Sequence, residues 1–330
     1  HQPHFLLTAA ARSLSVREIF GLSDERAFEL LREVRWGREG EPVCPECGTV
    51  DAHWFLPSRR QWRCRACAHT FSVTSGTIFA RHKLPLLVYL GALAIYTNAV
   101  KGLSALQLSR DLDVQYKSAF VLMHKMRESL MAQRDETPLS GEVQIDGAYV
   151  GGSVRPENRA EERLDRRLAE HQDPDRRCVI ALRENFPEDD PQGRVGAKRT
   201  LTAIVKRECQ ADIGVLTKRF VAPATTISAV ESDAYDLLHG SYPMRRVNHQ
   251  QEYRAEDGTT NNQAESYFSR FRRMQMGQHH QFGLGHLANY ANEAAYREDT
   301  RRCSCPPAAP GHAASAAGSR PDAPPRVPAP

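Results

Sequence analysis

The chain is 330 residues long, with 41% hydrophobic and 25% charged residues, an ordinary globular composition with room for about two domains. Lysine plus arginine exceed aspartate plus glutamate by 44 to 40, so a polybasic tail, an acidic tail and wholesale disorder are all excluded. Eight unevenly grouped cysteines in a chain of this length argue against an extracellular disulfide scaffold.

Residues 1–40 have helical patterning, with Leu14, Ile19, Phe20, Leu22, Phe28, Leu31, Val34 and Trp36 near helical spacing and a second helix starting at Ser23. His1-Gln2-Pro3 leads into a polar amphipathic stretch, with no secretory signal pattern. The absent initiator Met reads as a trimmed or fragmentary frame, and a cytoplasmic location is expected.

Residues 41–80 carry Cys44-Pro-Glu-Cys47 and Cys64-Arg-Ala-Cys67, separated by 16 residues. Two such knuckles predict four thiolates closing a tetrahedron around a structural Zn2+, with Gly48 easing the first turn. The intervening "HWFLPSRRQWRC" reads as strand, turn, strand, with Trp54, Phe55 and Trp62 available to cover the metal. Arg59, Arg60, Arg63, Arg65, Arg81, His82 and Lys83 make either a phosphate-facing surface or a plain solvated face.

The apolar run Leu84–Val100 is too short for a bilayer and reads as a buried core helix, so no membrane partner is expected. Residues 84–133 continue with a helix capped by Ser104 and Gln107, a break at 111–115, and a helix from about Tyr116. On that helix Ala119, Leu122, Met123, Met126 and Leu130 share one face. Lys117, His124, Lys125 and Arg127 are expected elsewhere around it. The pattern fits a DNA-binding helix-turn-helix, with Lys117, Lys125 and Arg127 as contacts, and equally a plain three-helix bundle.

Residues 140–302 alternate apolar strands with helices, an α/β pattern. Strands are predicted at 141–152, 178–185 and 200–209, then a short helix, a strand running into a helix over 225–238, and a late helix over 259–277. Asp146 interrupts the first strand, Asp233 lies at the end of the fourth, and Glu265 sits in the first turns of the late helix. Asp236 competes with Asp233, and Glu265 could instead pair with Arg272 on the same helix face. Three acids gathered at one sheet end would repel one another unless hard divalent cations, naturally Mg2+, neutralise them. The charged segment 155–177 reads as a loop or a DNA-contacting arm, and 303–330 as a disordered Pro/Ala-rich tail.

The motifs "RWGREGEPVCPECG", "FSVTSGTIFARHKLPL", "VQIDGAYVGG", "ESDAY", "RRVNHQQEYRAEDG" and "NNQAESYFSRFRRMQMGQHH" make residues 14 to 302 resemble bacterial transposases of the insertion sequence 1595 (Merlin-like) family. Beyond Arg302 the resemblance stops. It implies a zinc ribbon, a helix-turn-helix and a ribonuclease-H-like catalytic domain with an Asp-Asp-Glu triad, here Asp146, Asp233 and Glu265. Arg272 matches a basic residue that follows on the same helix, and His249 also matches. The implied activity is Mg2+-dependent cutting and strand transfer of double-stranded DNA. Its substrates would be the element's terminal inverted repeats and a target, handled by at least a dimer. A DNA-binding regulator with an inactive α/β domain, and a nuclease that cuts without joining, are the rival readings.

Overall fold

The computed structural model describes residues 15–37, 40–81, 83–151, 157, 159–162, 173–187, 189–247 and 260–301. They fall into two compact units, one ending at Arg134 and the other spanning Asp135–Thr300.

The first unit opens with helices α1 (Val16–Phe20) and α2 (Asp24–Trp36). The Ser15 and Ser23 hydroxyls accept from the Glu18 and Arg26 amides, satisfying donors that a helix start leaves open. A three-stranded antiparallel sheet follows, β1 (His53–Leu56), β2 (Gln61–Cys64) and β3 (Thr70–Ser72). Trp62 of β2 is the hub of its packing: Phe28 stacks on it at 5.7 Å and Trp36 meets it edge-on at 5.2 Å, both from α2. Phe55, opposite Trp62 in the pairing, packs on it at 5.3 Å, whereas Trp54 is 53% exposed, which corrects the expectation for that one ring. Successive strand residues face opposite sides, which puts Trp62 and Trp54 in different environments.

Helix α3 (Leu86–Asn98) is the apolar run of the sequence. It is apolar all round because one side joins the ribbon and α1–α2 core through Leu90 and Ala94. Its other side joins a helical core through Tyr89, Ala92 and Tyr96. No described helix is long and apolar enough to cross a membrane. Helices α4 (Ala105–Asp111) and α5 (Tyr116–Ala132) pack on it across a tight turn in which Asp113 takes a positive φ of 50°. Ser104 caps α4 as expected, but the Gln107 side chain reaches forward to Asp111 instead of closing the box.

Arg127 departs from expectation. It lies four and eight residues after Met123 and Ala119, on the buried stripe of α5, and is 2% exposed. A phosphate cannot reach it there, so Arg127 is withdrawn as a DNA contact. Lys125 is half-buried and donates to the Ile78 carbonyl at 3.2 Å, whereas Lys117 is exposed.

The second unit is built on a five-stranded mixed sheet in the order β6-β5-β4-β7-β8. The strands are β4 (Glu142–Val150), β5 (Arg177–Asn185), β6 (Ala197–Val205), β7 (Thr226–Val230) and β8 (Met244–Val247). β4 is antiparallel to β5 and parallel to β7, and β8 is a fifth strand that the alternation of the sequence did not signal. This is a ribonuclease-H-like α/β arrangement. Helix α6 (Gln210–Phe220) and a 3-10 turn (Asp233–Gly240) cover one face. They pack on Val143, Ile145, Ile180 and Leu182. Helices α7 (Asn262–Met274) and α8 (Leu287–Thr300) cover the other, over Ala148, Val150, Val179 and Ala181. β5 is buried on both faces, so Cys178–Leu182 reads as a continuous apolar run.

Helix α8 is locked to the sheet by polar groups. Asp299 accepts from the Thr200 amide and hydroxyl, both at 2.7 Å, and buried Arg183 lies 3.9 Å from Glu298. Burial pushes the Asp299 carboxyl up to about 6, against the pull of Thr200 and Arg183. Because its folded value lies above the ordinary one, the stability it contributes is present in acid and lost as pH rises from about 4 through 6. An NMR titration of its side-chain carbon is expected to show a midpoint near 6, and a midpoint near 4 would refute the buried setting.

Candidate functional site

The Cys44, Cys47, Cys64 and Cys67 sulfurs all lie within 4.8 Å of one another. The Cys44–Cys67 and Cys47–Cys64 pairs are 3.6 Å apart. Four thiolates at ~2.3 Å from a central zinc have edges of ~3.8 Å, so the cluster has the size and donor set of a closed structural site. Each knuckle folds by the same device: the Gly48 and Ala68 amides donate back to the Cys44 and Cys64 carbonyls, each from a positive φ, 72° and 58°. Thr49 adds a hydroxyl 3.2 Å from the Cys47 sulfur. Around it Arg59, Arg63, Arg65, Arg81 and Lys83 are exposed, Arg60 is tied to Glu25 at 2.6 Å, and His82 lies outside the described residues.

In the second unit two of the three acids, Asp146 and Glu265, are carried by β4 and the first turn of α7. Gln144, Asp146 and Ala148 share one face of β4, because side chains alternate along a strand. Gln144 is buried and its Oε1 accepts the Gln263 amide at 2.8 Å. The Asn261 side chain does not cap α7 but donates to the Ile145 carbonyl at 3.3 Å. These two bonds seat the first turn of α7 on the two residues preceding Asp146, and that turn carries Glu265. Burial pushes the Asp146 carboxyl up to about 7. The charges of Glu208 and Glu265 raise it further, while the Gly147 amide, donating at 2.9 Å, and Arg272 oppose them.

Asp233 follows β7 at the carboxyl end, and β7 runs parallel to β4 with Ile145 opposite Ala229. Asp146, in the middle of β4 and one residue after Ile145, is therefore level with the carboxyl end of β7, which Asp233 follows. Asp233 is exposed and is not among the principal charges acting on Asp146, and among the described residues no three acids bring oxygens mutually within 4.8 Å. Its backbone is fixed by Gln210, which donates to the Asp233 carbonyl at 2.8 Å. The competing Asp236 is occupied by Arg246 at 2.7 Å. Hard oxygen donors that repel one another suit Mg2+ better than Zn2+. The fully buried Asn261 Oδ1 also lacks a hydrogen-bond partner beside β4.

Glu208 carries no signal in the sequence that marks it as a neighbour of Asp146. The sequence reads as strand through Cys209, whereas β6 ends at Val205 and Glu208 belongs to the connection into α6. Residues 248–259, with His249, and most of 155–177 lie outside the described residues.

Residues 138–299 match the model of the ISXO2-like transposase domain, and residues 22–70 match that of the transposase zinc-ribbon domain. A curated relative, described as an uncharacterized protein in transposable element ISH50 of Halobacterium salinarum, is 30% identical over 150 residues. That alignment covers 45% of this chain and 49% of the relative, so the chain spans about half the length of the relative it matches. With both transposase modules in this order, together filling more than half of its length, the chain belongs to the insertion sequence 1595 family of transposases.

Proposed function

We propose that the protein is a DNA transposase that binds the terminal inverted repeats of its element, hydrolyses a phosphodiester at each end and joins the freed 3′-hydroxyl to target DNA. The observation that carries this reading is the docking of α7 on β4, which sets Glu265 against Asp146 in a transposase-family domain. Asp146, Asp233 and Glu265 are the residues assigned to hold Mg2+. Such ions would supply positive charge at the reacting phosphate and a more acidic water.

The remaining roles belong to the chain itself. Arg272 is exposed two turns along α7 from Glu265, on nearly the same face, and is assigned to a DNA phosphate. Lys117, beside exposed Tyr116, Phe120 and Val121, lies at the amino end of α5, the part of a recognition helix that reaches base edges. Lys125 can serve only where its bond to Ile78 is exchanged for a phosphate. The ribbon is assigned to end binding, and handling two ends calls for at least a dimer, working on DNA in the bacterial cytoplasm.

A strand-transfer assay with end-sequence DNA, target plasmid and Mg2+ tests this directly. Joined products are expected; cleavage without joining would make the protein a nuclease, and binding alone a regulator.

A further inference from the structure

The two faces of the ribbon sheet differ in kind. Phe55, Trp62 and Phe71 form one row across the three strands, against the Phe28 and Trp36 rings of α2. Side chains alternate along a strand, so the residues beside them point the other way. There Trp54, Arg63 and Thr70 make a second row, and all three are exposed. Arg65 extends it from the second knuckle. Its amide donates to the Ala52 carbonyl at 2.9 Å, and its guanidinium lies over the Trp54 ring, 5.2 Å from the centroid. Because Arg65 follows Cys64 directly, the fold of the knuckle fixes its place.

A single exposed aromatic ring needs no explanation, but the company of this one does. From His53 to Ser72 the chain carries four arginines and no acid. Arg60 is paired with Glu25 of α2, whereas Arg59, Arg63 and Arg65 are exposed and have no ion-pair partner among the described residues. Unpaired guanidinium groups call for an anion, and an open indole beneath one of them calls for a flat π-surface beside that anion. A nucleotide supplies both. Within an intact duplex each base face is covered by its neighbours, so the ring can stack only on an unpaired base.

Resting on the assignment of the ribbon to DNA ends, we propose that the outer face of its sheet binds single-stranded DNA, with a base stacked on Trp54 and the adjoining phosphates on Arg63 and Arg65. Such strands arise where a duplex end is opened or cut. The test uses the zinc-replete full chain with a short oligothymidylate and, separately, with end-sequence duplex. Trp54→Ala is expected to weaken oligothymidylate binding about tenfold and to change duplex affinity less than about twofold. Trp54→Phe keeps a ring, so affinity should hold within about threefold. The quenching of tryptophan fluorescence by the bound base should nevertheless vanish, since Trp36 and Trp62 belong to the opposite side of the sheet. Arg63→Gln should lower the salt slope of oligothymidylate binding by ~0.7, one phosphate's share. Undiminished binding by Trp54→Ala, or quenching that survives Trp54→Phe, would overturn the proposal. An equal loss on duplex would also overturn it, making Trp54 a duplex contact. Should Trp54→Ala fail to fold, Trp54→Phe and Arg63→Gln decide the matter by the same readings. If the wild type binds duplex but not oligothymidylate, only this inference falls; if it binds neither, the reading beneath it falls too.

Discussion

Asp146→Asn is expected to abolish DNA cutting, leave binding of the element's ends intact, and make the metal-free second unit more stable. The first effect follows from the proposed metal chemistry: a divalent cation would contribute several kcal/mol of transition-state charge stabilisation, so losing a ligand assigned to it would lower the rate roughly a thousandfold or more. The second follows from separation of labour, since the exposed basic residues proposed for end recognition lie on the ribbon and α5, not on β4. The third has the opposite sign from most substitutions of a half-buried residue. In the folded chain burial and two neighbouring acids push Asp146 up to about 7. At pH 8 its ionised form is therefore held against a cost, which asparagine removes. Part of that cost is screened because the group is not fully enclosed, leaving a gain on the order of 2 kcal/mol. The same gain should shrink as pH falls toward 5, where the wild-type carboxyl takes up its own proton. Chemical denaturation of the metal-free protein at pH 8 and pH 5 measures it. Residual cleavage by Asp146→Asn, or a loss of stability at pH 8, would remove Asp146 from the centre of the site.

Much of this site is legible in the sequence because its parts are local signals. The paired cysteines fix their own spacing, and a carboxylate in mid-strand at Asp146 stands out against Val143 and Ile145. Serines at helix starts announce their helices. What stays hidden depends on long-range packing. Glu208 looks like the last polar position of a strand until β6 is seen to stop at Val205, and only then does the glycine at 147 make sense as room for it. Asn261 stands at the entry to a helix, yet its side chain is spent on a strand carbonyl 116 residues away in the chain. Arg127 is the instructive error. Its charge predicts exposure, but its position relative to Ala119 and Met123 predicts burial, and on a helix built around that stripe position prevails. β8 is four residues long and pairs in parallel with β7, so neither length nor alternation marks it.

Removing zinc is expected to unfold the ribbon outright and to weaken end binding. Its sheet consists of strands of four, four and three residues, at the short end of the usual range, so strand pairing alone contributes little to its stability. Cys44 and Cys64 are buried at the centre of the cluster with Trp62 and Phe71, so the metal and the aromatic core are one cooperative structure. A four-thiolate site contributes an apparent ~10 kcal/mol or more at neutral pH, which no exposed ion pair such as Arg60–Glu25 can replace. Cys64→Ser should act as chelation does, because it removes one buried ligand and leaves a hydroxyl among aromatic rings. Near-ultraviolet circular dichroism reports the event through Trp36 and Trp62, whose edge-on contact at 5.2 Å is lost with the fold. Fluorescence anisotropy with end-sequence DNA should then show at least a tenfold loss of affinity, restored by zinc for the chelated wild type but not for Cys64→Ser. Retention of the tryptophan signal without metal would mean that α2 alone holds the ribbon. Loss of that signal with affinity unchanged would place end recognition elsewhere, leaving α5 and Lys117 to carry it.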